Sequence, residues 1–201
     1  LLVATEFFAG FGAEAFDRLT EAHILRDVGV PASIDPVILF GVVTAVTLLF
    51  GFAAVGPAIR RVDAGGTVSV ARMVVFFTAA TIAAQLVFAL AGSFGVVIAA
   101  FVAALLARRL LAPLYNAWLN RQITDSSVRA TVLSISGQAN AVGQATGGPI
   151  LGTVGNAFGI PAALAGGALF LLPALGLYTR ALRHGGREPE LEALPAAAET
   201  Y

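Results

Sequence analysis

The sequence predicts an all-α membrane protein with six transmembrane helices, and three observations carry that prediction. Of the 201 residues, 58% are hydrophobic and 12% charged, about half the charged share of a soluble domain. The mean hydropathy is +0.86. Uncharged stretches long enough to cross a bilayer, about 20 residues, recur along the chain. A soluble helical protein of this composition would have to hide several helices that are apolar all round, and a disordered chain would need far lower hydrophobicity.

The inventory excludes several function classes. Cysteine is absent, so there is no disulfide scaffold, thiolate metal site or cysteine nucleophile. All twelve basic residues are arginine, which removes a lysine Schiff base. Twelve arginines against twelve acids, with no basic cluster, leave no electrostatic footprint for nucleic acid. His23 and His184 are the only histidines, and neither an HExxH pattern nor a serine nucleophile motif occurs. No enzyme activity, metal or cofactor is therefore expected.

Taken in order, the first span covers about residues 1–25, apolar at its start and then carrying Glu14, Asp17, Arg18 and Glu21. Because the chain opens within this pattern, with no initiator Met, basic n-region or small-residue cleavage site, it is expected to be part of a longer protein. Residues 37–59 form an uncharged second span closed by Arg60 and Arg61, and residues 73–92 an uncharged third. The fourth, residues 94–119, is apolar except for Arg108, Arg109, Tyr115 and Asn116, with Pro113 as an expected kink. From Ala130 to Thr179 there is no charge at all, and Gly155, Asn156, Gly159 and Pro161 divide that run into spans over 130–154 and 161–179. Residues 1–183 thus form the bundle, and the Glu, Pro, Ala and Gly content of 184–201 predicts a disordered cytoplasmic tail.

Arginine placement orients the spans in the cell membrane. Arg60, Arg61 and Arg72 bracket the second loop, Arg121 and Arg129 the fourth, and Arg180, Arg183 and Arg187 follow the last span, whereas the opposite side holds only Arg26. By the positive-inside rule the even loops and the C-terminus are cytoplasmic. Trp118, Tyr115 and Tyr178 fall near the cytoplasmic ends of spans four and six, where amphipathic rings favour the interface.

Intramembrane charge costs about 2.5 to 3.5 kcal/mol per side chain at a helix centre, so its position is informative. Glu14, Asp17, Arg18 and Glu21 are spaced three and four apart and share an arc of roughly 80 degrees. Phe7, Gly10 and Phe11 extend that face, with His23 opposite. In span four, Arg109, Pro113, Asn116 and Asn120 form a second polar arc, with Arg108 beside it. One reading is a structural ion-pair network in which Glu14 and Asp17 neutralise Arg18. The other is a water-filled cavity through which solute passes, with the surplus acids of span one facing the arginines of span four. In that second reading Glu14, Asp17, Arg18, Arg109 and Asn116 bind solute or protons, and Phe7 and Phe11 supply apolar contact.

Span five carries Ser134, Ser136, Gln138, Asn140 and Gln144; Gln138 and Gln144 could contact solute, but interhelical hydrogen bonding is the better reading for them and for Gln85 of span three. Gly143 to Gly147 and Gly148 to Gly152 are small-xxx-small spacings, so Gly143, Gly147, Gly148, Pro149 and Gly152 are assigned to close helix packing.

Grouping spans one to three and four to six reveals a correspondence. The first member of each group holds intramembrane charge, and the second carries a Gly-Pro step, Gly56-Pro57 and Gly148-Pro149. This predicts two inverted three-helix repeats.

Three segments then resemble a known family. Phe16-Asp17-Arg18-Leu19-Thr20-Glu21-Ala22-His23 looks like a helix-seven sequence of bacterial drug-exporter-like members of the major facilitator superfamily. Gly56-Pro57-Ala58-Ile59-Arg60-Arg61-Val62-Asp63 is similar to the second copy of that family's cytoplasmic loop motif. Asn116 to Asn120, Val128-Arg129-Ala130-Thr131 and Gly147-Gly148-Pro149-Ile150-Leu151-Gly152 resemble its helix ten to eleven region. The resemblance covers about residues 1–183 and implies the C-terminal half of a twelve-helix secondary transporter, with spans one and four lining the central cavity. It implies export of a small molecule by alternating access, with a missing N-terminal six-span half, the bilayer and a small-molecule solute as partners. If export is coupled to proton entry, Glu14 or Asp17 is the better carrier, since burial raises a carboxylate pKa. A non-transporting membrane scaffold whose polar stripes bind a partner helix is the alternative.

Overall fold

A computed structural model describes residues 2–123 and 127–185. Among them are six α-helices, one π-helical turn and no strand. Helix α1, Leu2–Ala22, continues into the π-helical turn His23–Val28, which ends at Gly29 with φ of 78°. The α2 helix covers Pro36–Leu90, α3 Phe94–Gln122 and α4 Arg129–Phe158. They are followed by α5, Ile160–Leu169, and α6, Leu172–Gly185. The helix α6 runs to Gly185, past the expected start of the tail at 184; the rest of the tail, and Arg187, lie outside the described residues.

Spans two and three were expected to be separated by a loop, yet all 55 residues of α2 are helical. A straight helix of that length would extend roughly 80 Å, and the contacts with α3 exclude this. Gly51 abuts Arg109, Val70 and Val74 pack with Leu114 and Trp118, and the Phe88 ring lies 5.8 Å from that of Phe101. Along α3 these partners lie within a few turns of one another, in the order 101, 109, 114. The helix is therefore not straight, and its first limb, Pro36–Pro57, and its second, Val68–Leu90, both reach α3. The α3 helix passes through Pro113 without interruption. The expected sixth span is divided at Phe170 and Leu171, just before Pro173, whose missing N–H cannot continue the ladder.

Among the described residues, four stretches are long and apolar enough to cross a membrane: Pro36–Pro57, Val68–Leu90, Phe94–Arg121 and Ile160–Arg183. The expected first and fifth spans are not among them. The α1 helix carries Glu6, Glu14, Asp17, Arg18 and Glu21, and α4 is diluted by Ser, Thr, Gln, Asn and Gly. These two polar helices pack directly on each other. A Cβ at Gly10 would run into the Asn140 carbonyl oxygen, one at Gly143 into that of Phe7, and one at Gly147 would lie 2.8 Å from that of Phe11. On its other side α1 meets α5, where Gly12 and Gly167 bring two backbones together.

Two apolar clusters hold the bundle. One joins Phe11, Phe16, Ile24, Phe88, Phe101 and Leu164; the other joins Val74, Leu114, Trp118, Leu119 and Tyr178. The first limb of α2 turns Val37, Leu49 and Phe52 outward, Phe52 being 88% exposed. Such an apolar outer face is what a lipid-embedded helix presents.

Candidate functional site

A cavity of about 420 Å³ opens between α1, α3, α4, the second limb of α2 and α6, a volume suited to a drug-sized molecule. Its wall follows helical periodicity. On α1 the lining residues are Glu6, Ala9, Ala13 and Asp17; on α3, Arg108, Ala112 and Asn116; on α4, Ser136, Asn140 and Gln144. Each set is spaced three or four apart, so each helix gives one face. Ala9, Ala13, Ala112 and Gly137 keep the space open, and Thr78, Thr81, Gln85, Tyr115 and Tyr178 stand in the wall among Leu111, Leu119, Leu133 and Leu171.

Asp17 and Arg108 form a fork-on-fork ion pair across the cavity, Nη1 to Oδ1 at 2.5 Å and Nη2 to Oδ2 at 2.9 Å. This bidentate geometry is the strong form of a carboxylate–guanidinium pair. The Arg108 guanidinium also lies 5.4 Å from the Phe16 ring centroid. At the other end of the same face, Glu6 accepts a 2.8 Å hydrogen bond from Asn140 Nδ2. Gln144 Nε2 in turn donates to Asn140 Oδ1 at 2.7 Å. Among the described residues no cation lies within ion-pair distance of Glu6.

Several buried polar atoms in the wall have no partner: Nε2 and Oε1 of Gln85, the Tyr115 hydroxyl and Oγ of Ser136. Leaving a buried donor or acceptor unsatisfied costs about 1–3 kcal/mol. Three such side chains around one cavity mark a surface made for polar company.

Of the residues expected to bind solute or protons, Asp17 and Asn116 line this cavity. Glu14, Arg18, Arg109, Phe7 and Phe11 lie outside its wall. Glu14 pairs with Arg18 Nε at 2.9 Å and lies where a Cβ at Gly148 would come within 3.5 Å of it, while the Arg18 side chain is 76% exposed. Arg109 lies against Gly51, its Nε buried and unpartnered. Phe11 stacks on Phe170 at 3.7 Å, and Phe7 meets Phe8 edge-on at 5.6 Å. Asp17 and Asn116 are thus shared with the expected face, while Glu6, Ala9 and Ala13 of α1 and Arg108 of α3 line the cavity where Phe7, Phe11, Glu14, Arg18 and Arg109 were expected. Phe7 and Phe11 are turned away because their backbone is where Gly143 and Gly147 of α4 approach.

Within the expected packing set the seam is formed by Gly143 and Gly147, with Gly148 in ordinary contact with Glu14. A Cβ at Gly152 would meet open space, and Pro149 is exposed, so the 148–152 spacing is not part of the seam. Glu6, Gln85, Tyr115, Ser136, Asn140 and Gln144 were not assigned to the site from sequence. For Glu6 the available signal was its spacing of eleven residues from Asp17, three helical turns on one face.

At the opposite end of α1, His23 is buried, its Nδ1 2.9 Å from Asp27 Oδ2 and its Nε2 3.0 Å from the Phe88 carbonyl oxygen. This ties the π-helical turn to the end of α2.

No family model, no curated protein and no solved structure matches this chain.

Proposed function

We propose that this chain is a six-span half of a secondary transporter of the major facilitator class, exporting a small molecule by alternating access. The observation that carries the reading is the cavity in which an Asp17–Arg108 pair, Glu6 and three unpartnered polar side chains face one space among apolar helices. In this reading α1 and α4 cross the membrane beside the four more apolar stretches. Glu6, Asp17 and Asn140 of these helices are turned to the cavity, which lowers the cost of carrying polar groups across the membrane.

The packing supports two inverted repeats. Span one sits on span five, through Gly143 and Gly147, and span four sits on span two, through Gly51 against Arg109. Exchanging one with four and two with five carries the first contact into the second. That reciprocity is expected of three-helix units related by a pseudo-two-fold axis. The arginine distribution supports cytoplasmic even loops, which sets Glu6, Tyr115 and Tyr178 toward the cytoplasmic end of the cavity.

Rocking of this half against an N-terminal half would expose the cavity to each side in turn, and proton entry on a cavity carboxylate would drive efflux as antiport. Reconstituted alone, the chain should give no solute flux, and co-expression with its missing half should restore it. Flux through vesicles containing the chain alone would contradict the reading.

A further inference from the structure

We propose that the notch between the first limb of α2 and α3 holds the phosphate of an anionic phospholipid against Arg109. This rests on the membrane-spanning reading of those two helices and is independent of the transport reading. Arg109 stands inside Phe94–Arg121, one of the stretches apolar enough to cross a membrane. A guanidinium keeps its charge there, so it needs a counter-charge or a path to water. Arg18 and Arg108, also on helices of the bundle, have carboxylate partners in Glu14 and Asp17. Arg109 has no such partner: among the described residues, no ion pair, hydrogen bond or ring contact involves it.

Gly51 makes the notch. A Cβ there would come within 3.0 Å of Arg109 Cδ and 3.6 Å of its Cβ, so the bare backbone lets the stem of the arginine lie along α2. The Nε atom is buried and unpartnered, but Nη1 and Nη2 are not among the buried unpartnered atoms. Without a partner in the protein, they open on the surface of the bundle. A guanidinium held by its stem with its outer nitrogens presented is the geometry that takes two phosphate oxygens side by side.

The surface beside it suits a lipid. Leu48 and Phe52, both exposed, stand three residues before and one after Gly51, on the same flank of the helix, where acyl chains would lie. Gly51 is six residues from Pro57, where that apolar stretch ends, about 9 Å along the axis. A headgroup drawn in by local thinning of the bilayer covers that distance. By the arginine distribution this end is cytoplasmic, the side on which anionic lipids carry the surface charge. A zwitterionic headgroup brings its own cation to compete for the phosphate, so a net negative lipid is the better ligand.

The test is chemical protection of Arg109. The chain is placed in nanodiscs of phosphatidylglycerol or of phosphatidylcholine with the same acyl chains, then treated with phenylglyoxal, and modified arginines are read by peptide mass spectrometry. Arg109 should react about fivefold more slowly in phosphatidylglycerol, the ratio expected from one arginine at an anionic lipid. Arg129, exposed at the rim, should be protected less. Inorganic phosphate added to the phosphatidylcholine nanodiscs should not protect Arg109. In native mass spectrometry with equal amounts of the two lipids, the first lipid bound should be phosphatidylglycerol. Arg109→Gln should remove that preference, and Arg129→Gln should keep it. Equal reaction of Arg109 in both lipids, protection by inorganic phosphate alone, or an unchanged preference in Arg109→Gln overturns the lipid site while leaving the spans in the membrane. If the chain enters neither nanodisc, the membrane-spanning reading falls with it. Protection in the unmodified chain decides the matter even if Arg109→Gln fails to fold.

Discussion

Asp17 of α1 and Arg108 of α3 are joined by two parallel hydrogen bonds, 2.5 and 2.9 Å long, although they stand 91 residues apart in the chain. The pair neutralises a charge on each of two helices and fixes the separation of the cavity walls. Both partners are partly exposed to the cavity, so water screens the attraction. Asp17→Asn should lower stability by about 1 kcal/mol. The exchanged pair, Asp17→Arg with Arg108→Asp, should recover most of it, as measured by thermal unfolding in detergent.

Arg18 presents the opposite case. It bonds Glu14 along the same helix while most of its side chain is exposed. Its partner is the buried one, Glu14 being 11% exposed, so Arg18→Gln leaves a buried carboxylate without its cation and should lower stability by about 1–3 kcal/mol. No loss in the same unfolding assay would mean that other groups compensate Glu14.

The α1–α4 seam allows no added carbon where backbone meets backbone. Gly143→Ala and Gly147→Ala should each cost about 1–3 kcal/mol or more through overpacking, because the atoms in the way are carbonyl oxygens of Phe7 and Phe11. Gly152→Ala, with open space around it, should be neutral. Size-exclusion profiles after a heat challenge would separate the three.

His23 faces an acceptor on each ring nitrogen, the Asp27 carboxylate and the Phe88 carbonyl. His23→Phe should preserve ring packing on Phe88 but lose both bonds, at a cost of about 1–3 kcal/mol. His23→Gln, which can still donate to the carbonyl, should recover part of that loss in a thermal unfolding assay.

Orientation is checked by labelling in this cysteine-free background. A cysteine at Ala32, between α1 and α2, should react with an impermeant reagent from outside the cell. One at Gly65 should react only from the cytoplasmic side. External labelling at Gly65 would reverse the orientation drawn from the arginines.

Hydropathy and charge made the helices legible, because long apolar runs have few alternatives in lipid. The Gly143–Gly147 spacing pointed to close packing, but sequence alone could not name Phe7 and Phe11 as the surface approached. The helical phase of the cavity was the harder quantity. Arg108 and Arg109 are adjacent and chemically identical, and so are the carboxylates of Glu14 and Asp17, so tertiary packing alone selects which of each pair faces inward. Alanines 9, 13 and 112 carry no polar signal at all, though they line the cavity. Continuous helicity through α2 escaped prediction because charge and glycine mark a surface segment without stating its backbone conformation.

The central claim, that α3 turns one face to an aqueous cavity and another to lipid, is tested most directly at two alanines. Ala103 and Ala112 are both exposed on α3, but only Ala112 lines the cavity. Their separation of nine residues is roughly 180° around the helix. In membranes, Ala112→Cys should react with a charged, water-soluble thiol reagent, and Ala103→Cys should not. Reaction at Ala103, or equal inertness at both positions, would contradict a wet cavity on this face of the bundle.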